Sequence, residues 1–191
     1  MHAYLAASRY IDFDHPQVSA KAAELANGAS DKTEIARRCF EFVRDHIRHS
    51  WDYRQNPVTC RASDVLLHGT GYCYAKSHLL AALLRANGIP AGLCYQRLSV
   101  GDENSAPYCL HGLNAVYLDG FGWYRIDARG NKPGVVADFC PPTEVLAFAL
   151  RPPHECDLPG IHAEPLSVVT ATLERYTDVA EVIANLPDIA P

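Results

Sequence analysis

The residues with the clearest capacity for chemistry are a cysteine, a histidine and an aspartate: Cys73, His111 and Asp127. Cys73 follows Gly69 and Gly71, which let the backbone turn sharply, and it opens a run in which Cys73, Leu80, Leu83 and Leu84 recur at helical spacing with Ala81 and Ala82 between them. Asn87-Gly88 supplies a left-handed helix stop and Pro90 forbids continuation. The spacing therefore predicts a helix with Cys73 in its first turn. Unpaired N–H groups and the positive dipole end favour a thiolate there, which makes Cys73 a candidate nucleophile. Taken alone, it is equally compatible with a small buried hydrophobe of an apolar helix.

A nucleophilic cysteine needs a base and a group that orients the base, brought together in space rather than in sequence. The segment from His111 to Asp127 carries both, with strand formers Val116, Tyr117, Trp123, Tyr124 and Ile126 on either side of Asp119-Gly120 and Gly122. A hairpin centred on Asp119 with a three-residue loop or a bulge places His111 opposite Asp127, and opposed residues share a face. Each residue alone reads as an exposed strand-end histidine and a turn aspartate; their joint occurrence after a helix-start cysteine points to a constellation. Two other histidines compete for the role of base. Helical geometry turns His78 away from the thiol, whereas His68, just before the turn, stays in contention.

Gly71-x-Cys73 at a helix start, a strand carrying His111 and Gly122-Trp123-x-x-x-Asp127 on the next strand resemble the transglutaminase-like superfamily. That superfamily shares a Cys-His-Asp arrangement with papain-like peptidases and arylamine acetyltransferases. The resemblance covers roughly residues 30–130 and implies Cys73 as nucleophile, His111 as base and acid, and Asp127 as the orienting group. It implies an α+β, papain/transglutaminase-like fold in which N-terminal helices and the nucleophile helix pack on an antiparallel sheet. By the same resemblance the segment before the nucleophile lines the cleft, so Trp51 or Tyr53 would form a wall and Gln55 would assist an oxyanion, with a surface aromatic packed on the preceding helix as the alternative. Tyr72 and Tyr108 complete the candidate substrate contacts. The chain departs from the family at Leu113 and Ala115, where relatives often carry an aromatic residue and a glutamate, and at Ala128-Arg129-Gly130, where many carry Pro-Thr. These departures leave the triad intact and bear on the substrate class known from crosslinking transglutaminases.

The positioning elements read as follows. Pro16, Val18, Ala22 and Leu25 before Asn27-Gly28 predict a short helix, and Ser30 caps a longer one from Asp31 to about His49 with Ile35, Cys39, Phe42, Val43 and Ile47 on one face. Its other face, from Lys32 to Arg48, reads as a solvated, partly paired surface rather than a binding patch. Residues 1–14 suit an edge strand or an ordered lead-in, 49–57 a polar-aromatic loop, and 62–67 a short helix. Gly92–Val100 reads as a strand, followed by a loop whose Asp102-Glu103 pair would disfavour anionic ligands or simply face solvent. Beyond Arg129, strands are expected at Val135–Ala137 and Val145–Leu150 on either side of Pro141-Pro142, then an irregular connection and two helices, 165–175 and 178–184.

With 191 residues, 48% hydrophobic and 20% charged, the chain suits one domain over 1–191, with 131–191 as an extension of strand and helix. A net charge of −5 without a Lys/Arg run argues against nucleic acid, and no apolar segment suits a membrane span or a secretion signal. Seven irregularly spaced cysteines argue against a disulfide framework and for a reducing, cytoplasmic setting. No cofactor is implied; a zinc site of His154, Cys156 and His162 lacks paired spacing. The expected activity is cysteine peptidase or amidase chemistry on a peptide, protein, small amide or thioester. The alternatives are acyl transfer to an amine, a non-catalytic binding protein of the same fold, and a metal-dependent hydrolase.

Overall fold

The structure is a computed structural model that describes residues 1–101 and 105–189; the Asp102-Glu103 pair lies outside them. A single 3₁₀ turn, His2–Leu5, leads into α1 (Pro16–Ala26), which begins on its proline and buries Val18 and Ala22. The lead-in is ordered without being a strand: Tyr4 donates to the Ile161 carbonyl, and the buried Arg85 guanidinium binds the carbonyls of Ala6, Ala91 and Ala163. Three carbonyls replace the water that the buried charge gave up.

Helix α2 (Lys32–His46) is capped by Asp31, whose carboxylate accepts from the Glu34 N–H at 2.8 Å, while Ser30 sits one position outside. It stops three residues earlier than its periodicity suggests. Arg48–His49 leave as β1 to pair in parallel with β2 (Thr70–Gly71), joining His49 to Gly71. Between these strands lie the one-turn α3 (Ser50–Tyr53) and α4 (Ala62–His68). Along the outer face of α2, Arg37 and Arg38 pair with Glu41 and Glu34, as a solvated surface should. Arg44, paired with Asp45 and Asp138, and the exposed Arg48 also line a pocket described below.

Helix α5 (Cys73–Ala86) is the centre of the molecule, and every residue from Cys73 to Arg85 is buried. Such all-round burial follows from an apolar sequence with helices α1, α2 and α4 on one side and the sheet on the other. Leu79, Leu80, Leu83 and Leu84 are fully enclosed, each contributing roughly 1.5–3 kcal/mol. The helix ends at Asn87, whose side-chain amide donates to the carbonyls of Leu83 and Ala22 and so fastens α5 to α1.

Strands β3 (Ala91–Ser99), β4 (Tyr108–Leu118) and β5 (Gly122–Ile126) form an antiparallel sheet, with order β5-β4-β3 and the short β8 (Cys156–Asp157) beside β3. The β4–β5 hairpin pairs Leu118 with Gly122 around a loop of residues 119–121, so its centre is Gly120 rather than Asp119. That displacement corrects the expected pairing of His111 with Asp127. Asp127 lies one residue beyond the end of β5 and reaches His111 diagonally, still on the same face.

A second correction concerns residues 135–150. The strands are β6 (Asp138–Cys140) and β7 (Thr143–Val145), joined directly by Pro141-Pro142. Val135 is held in a tight turn by reciprocal backbone bonds with Lys132, which keeps it from starting a strand. Residues 147 and 148 are likewise diverted, because they touch the site. Helices α6 (Ser167–Arg175) and α7 (Val179–Ala184) pack on the core through Val169, Leu173, Val179 and Val182. His154 lies against Tyr108 and His162 against Tyr95, and among the described residues no group of three or more His, Cys, Asp or Glu is placed to hold a metal.

Candidate active site

Cys73 is the first residue of α5, held by the turn before it: Thr59 donates to the Thr70 carbonyl at 2.9 Å and β1 clamps β2. Strand β4 approaches so closely that the Gly112 N–H donates to the Cys73 Sγ at 3.4 Å. A Cβ at Gly112 would lie 3.0 Å from the Tyr74 Cα, so a side chain there would press β4 away from α5. Cys73 is 7% exposed, at the wall of a cleft.

His111, one residue before that glycine, is buried. Its Nε2 lies 2.7 Å from Asp127 Oδ2, and Cys73 is near enough to act electrostatically on the imidazole. Asp127 is fully enclosed and accepts two further bonds at 3.1 Å, from the N–H groups of Arg129 and Ala147. Burial alone would raise its pKa, but the His111 charge and these donors hold it below the usual carboxylate value. Burial pulls His111 the other way from its partners; the Asp127 charge and the neighbouring Cys73 outweigh it and push the imidazole up to about 10. Phe148 packs edge-on against the ring, centroids 4.9 Å apart, and fixes its plane.

The cleft measures about 720 Å³ and is mostly apolar, with Leu98, Leu110, Phe148, Ile183 and Leu186 around the three residues. Of the candidate substrate contacts, Trp51 and Tyr72 line it; Tyr53 is 62% exposed and lines the neighbouring pocket; Gln55 and Tyr108 line neither. Tyr108 instead lies under the Arg97 guanidinium at 4.0 Å. His78 and His68 stand apart: His78 is buried on the Cys60 carbonyl and His68 ends α4.

Several lining residues escaped the sequence reading. His49 joins the site because β1 pairs it with Gly71, a two-residue parallel contact that leaves no pattern in sequence. Arg129, seen only as a departure after Asp127, bonds Asp127 through its backbone and Asp52 through its guanidinium at 2.6 and 3.1 Å. Lys132 also binds Asp52, at 2.7 Å, and together the two cations outweigh burial to keep that carboxylate ionised. His49 Nδ1 is 3.7 Å from Asp52 and has no hydrogen-bond partner; burial first, then the Arg129 charge, depress its pKa well below normal. Lys76, a turn along α5 from Cys73, is 1% exposed, and burial together with Arg129 brings its ammonium down to about 7.

A thiol at a helix start, an imidazole between it and a buried carboxylate, and an antiparallel sheet behind them define a papain-like α+β arrangement. A family model described as the transglutaminase-like superfamily matches residues 19–128, and the chain belongs to that superfamily. The match begins within α1, earlier than the sequence motifs alone indicated. Among solved structures the chain is similar to a putative cysteine protease from Cytophaga hutchinsonii (20% identity, TM-score 0.51, covering 66% of this chain and 40% of that one). It also resembles the periplasmic domain of TgpA from Pseudomonas aeruginosa (18%, 0.48, 65% and 45%) and the arylamine N-acetyltransferase from Mycobacterium abscessus (19%, 0.48, 73% and 59%). The chain thus spans only 40–59% of these proteins' lengths. No curated protein matches it. Among the described residues no helix is long and apolar enough to cross a membrane.

Proposed function

We propose that the protein is a cysteine enzyme that cleaves a peptide or other amide bond by thiol-mediated acyl transfer. One observation carries the reading: His111 is buried beside Cys73 and bonded to Asp127, which is otherwise satisfied only by backbone N–H groups. In this scheme Cys73 passes its proton to His111 and its sulfur attacks the carbonyl carbon. The first N–H groups of α5, which have no side-chain cap, stabilise the oxyanion. As the tetrahedral intermediate collapses, the C–N bond breaks and His111 gives its proton to the departing amine. Water, deprotonated by His111, then hydrolyses the thioester and frees the thiol. Asp127 favours the imidazolium at each charged stage and fixes the ring. The apolar lining suits a hydrophobic group beside the scissile carbonyl. All seven cysteines are free, which suits work in a reducing compartment such as the cytoplasm.

The test is alkylation of the native protein by iodoacetamide across pH 5–9, with modified cysteines located by mass spectrometry, in wild type and His111→Ala. The expected result is that Cys73 reacts fastest of the seven well below pH 8 and loses that advantage without His111. Reaction of Cys73 no faster than the others would overturn the mechanism in favour of a binding protein. A Cys73→Ala protein should remain folded and be inactive.

A further inference from the structure

Beside the cleft lies a second pocket of about 390 Å³, and its chemistry is the reverse of the first. Its lining carries five basic side chains, Arg44, Arg48, Lys76, Arg129 and Lys132, against two carboxylates, Asp45 and Asp52. The carboxylates do not balance them. Asp45, helped by Asp138, is taken by Arg44, and Asp52 alone serves both Arg129 and Lys132. Among the described residues Arg48 has no carboxylate partner and only leans on the Tyr53 ring, while the Lys76 ammonium has one acceptor, the Ile47 carbonyl. An ammonium buried against a single carbonyl is costly unless something else comes to meet it. A second, independent sign is His49: it is 8% exposed, and its Nδ1 faces Asp52 in this pocket without a hydrogen bond. This local cationic excess occurs in a chain of net charge −5, so it does not follow from overall composition.

Resting on the cysteine-enzyme reading above, we infer that this pocket binds an oxyanion group of the substrate, a carboxylate or a phosphoryl group, while the acyl part lies in the cleft. His49 and Arg129 are walls of both cavities, and Lys76 lies on the same helical face as Cys73, three residues on. Guanidinium forks and an ammonium match the oxygens of either anion.

The experiment uses the Cys73→Ala protein, so its outcome does not depend on catalysis. Inorganic phosphate and acetate are titrated at constant ionic strength, with chloride as the balancing anion and thermal unfolding as the readout. A saturable rise in Tm is expected with at least one of them, and a midpoint roughly tenfold higher in Arg48→Glu and in Lys132→Ala, the loss of one charge-assisted contact. A response to phosphate alone identifies a phosphoryl group; a response to acetate identifies a carboxylate. Absence of saturation by either, or midpoints unchanged in both variants, overturns the site. In wild type, N-bromoacetyl-β-alanine should then alkylate Cys73 faster than bromoacetamide, roughly tenfold, and lose the advantage in Arg48→Glu. Equal rates would overturn the assignment of the anion to the substrate even if the free ions bind. Slow reaction with both reagents would instead count against the nucleophile.

Discussion

The cleft and the basic pocket share a wall, yet they treat buried cationic groups in opposite ways. On the cleft side, His111 has a carboxylate at 2.7 Å whose other bonds come only from uncharged backbone, and its pKa rises to about 10. On the other side, His49 has a carboxylate at 3.7 Å that Arg129 and Lys132 already hold, and its pKa falls. Burial penalises both rings alike. What separates them is the charges beside each ring: Asp127, bonded otherwise only by backbone, and Cys73 act on His111, whereas His49 faces the Arg129 cation and a carboxylate that Arg129 and Lys132 already hold.

Replacing the free carboxylate should have the largest effect. In Asp127→Asn the imidazolium loses its counter-charge, and turnover should drop by roughly 10²–10⁴-fold. A change of less than about threefold in kcat/KM would remove Asp127 from the contrast.

The next effect is a pair of opposed pH slopes, best seen in Cys73→Ala, where the thiol's own proton does not enter. In Cys73→Ala the contribution of Cys73 is gone but Asp127 still raises the His111 pKa, so the folded state keeps a proton that the unfolded chain releases near 6.5; its stabilisation is complete below 6.5 and is lost as pH rises through the raised folded value. Lys76 is the inverse: above pH 7 the folded state has released a proton that the unfolded chain keeps, so its contribution to stability rises with pH. Between pH 7 and about 8.5 the two slopes oppose one another. Adding Lys76→Met to Cys73→Ala should expose the fall across that window in urea denaturation, and adding Asp127→Asn should expose a rise of up to about 2 kcal/mol. Parallel curves for all three proteins would dissolve the contrast.

Gly112→Ala tests the cleft side by geometry alone. The new methyl meets the backbone of Tyr74 at 3.0 Å, and about 1–3 kcal/mol of stability should be lost as β4 backs away from α5 and its N–H from Sγ. A neutral substitution would mean that the approach is not tight. The smallest effect sharpens the comparison most: Arg129→Met frees one side of Asp52 and removes a cation, so the His49 pKa should move up while that of His111 keeps its direction. Imidazole C–H resonances followed against pH would read both, and an unmoved His49 would assign its depression to burial alone.

The parts of the site that depend on local backbone rules were legible in the sequence. A glycine-flanked cysteine, an apolar run and an Asn-Gly stop describe α5 and its first residue with no knowledge of the rest. Hairpin arithmetic found His111 and Asp127 but placed the turn one residue early, because Asp119-Gly120 and Gly120-Phe121-Gly122 are competing turn signals and strand formers do not choose between them. What could not be read is what long-range packing decides. His49 enters through a two-residue parallel pairing, and Asp52, Arg129 and Lys132 meet across about eighty positions. The stretch after Val145 looked like a strand because its apolar residues serve the site, with Ala147 bonding Asp127 and Phe148 lying on His111.

The last wall of the cleft comes from the C-terminal segment. Tyr72 donates to the Val179 carbonyl at 2.6 Å, Leu110 donates to Pro187 at 2.7 Å, and Ile183 and Leu186 face the site. This has a consequence for biosynthesis. Asp127 is translated about fifty residues before Val179, so at roughly 5–20 residues per second the nascent chain carries all three site residues for about three to ten seconds before the wall emerges. During that interval the wall does not yet shield Cys73 from electrophiles or disulfides near the ribosome.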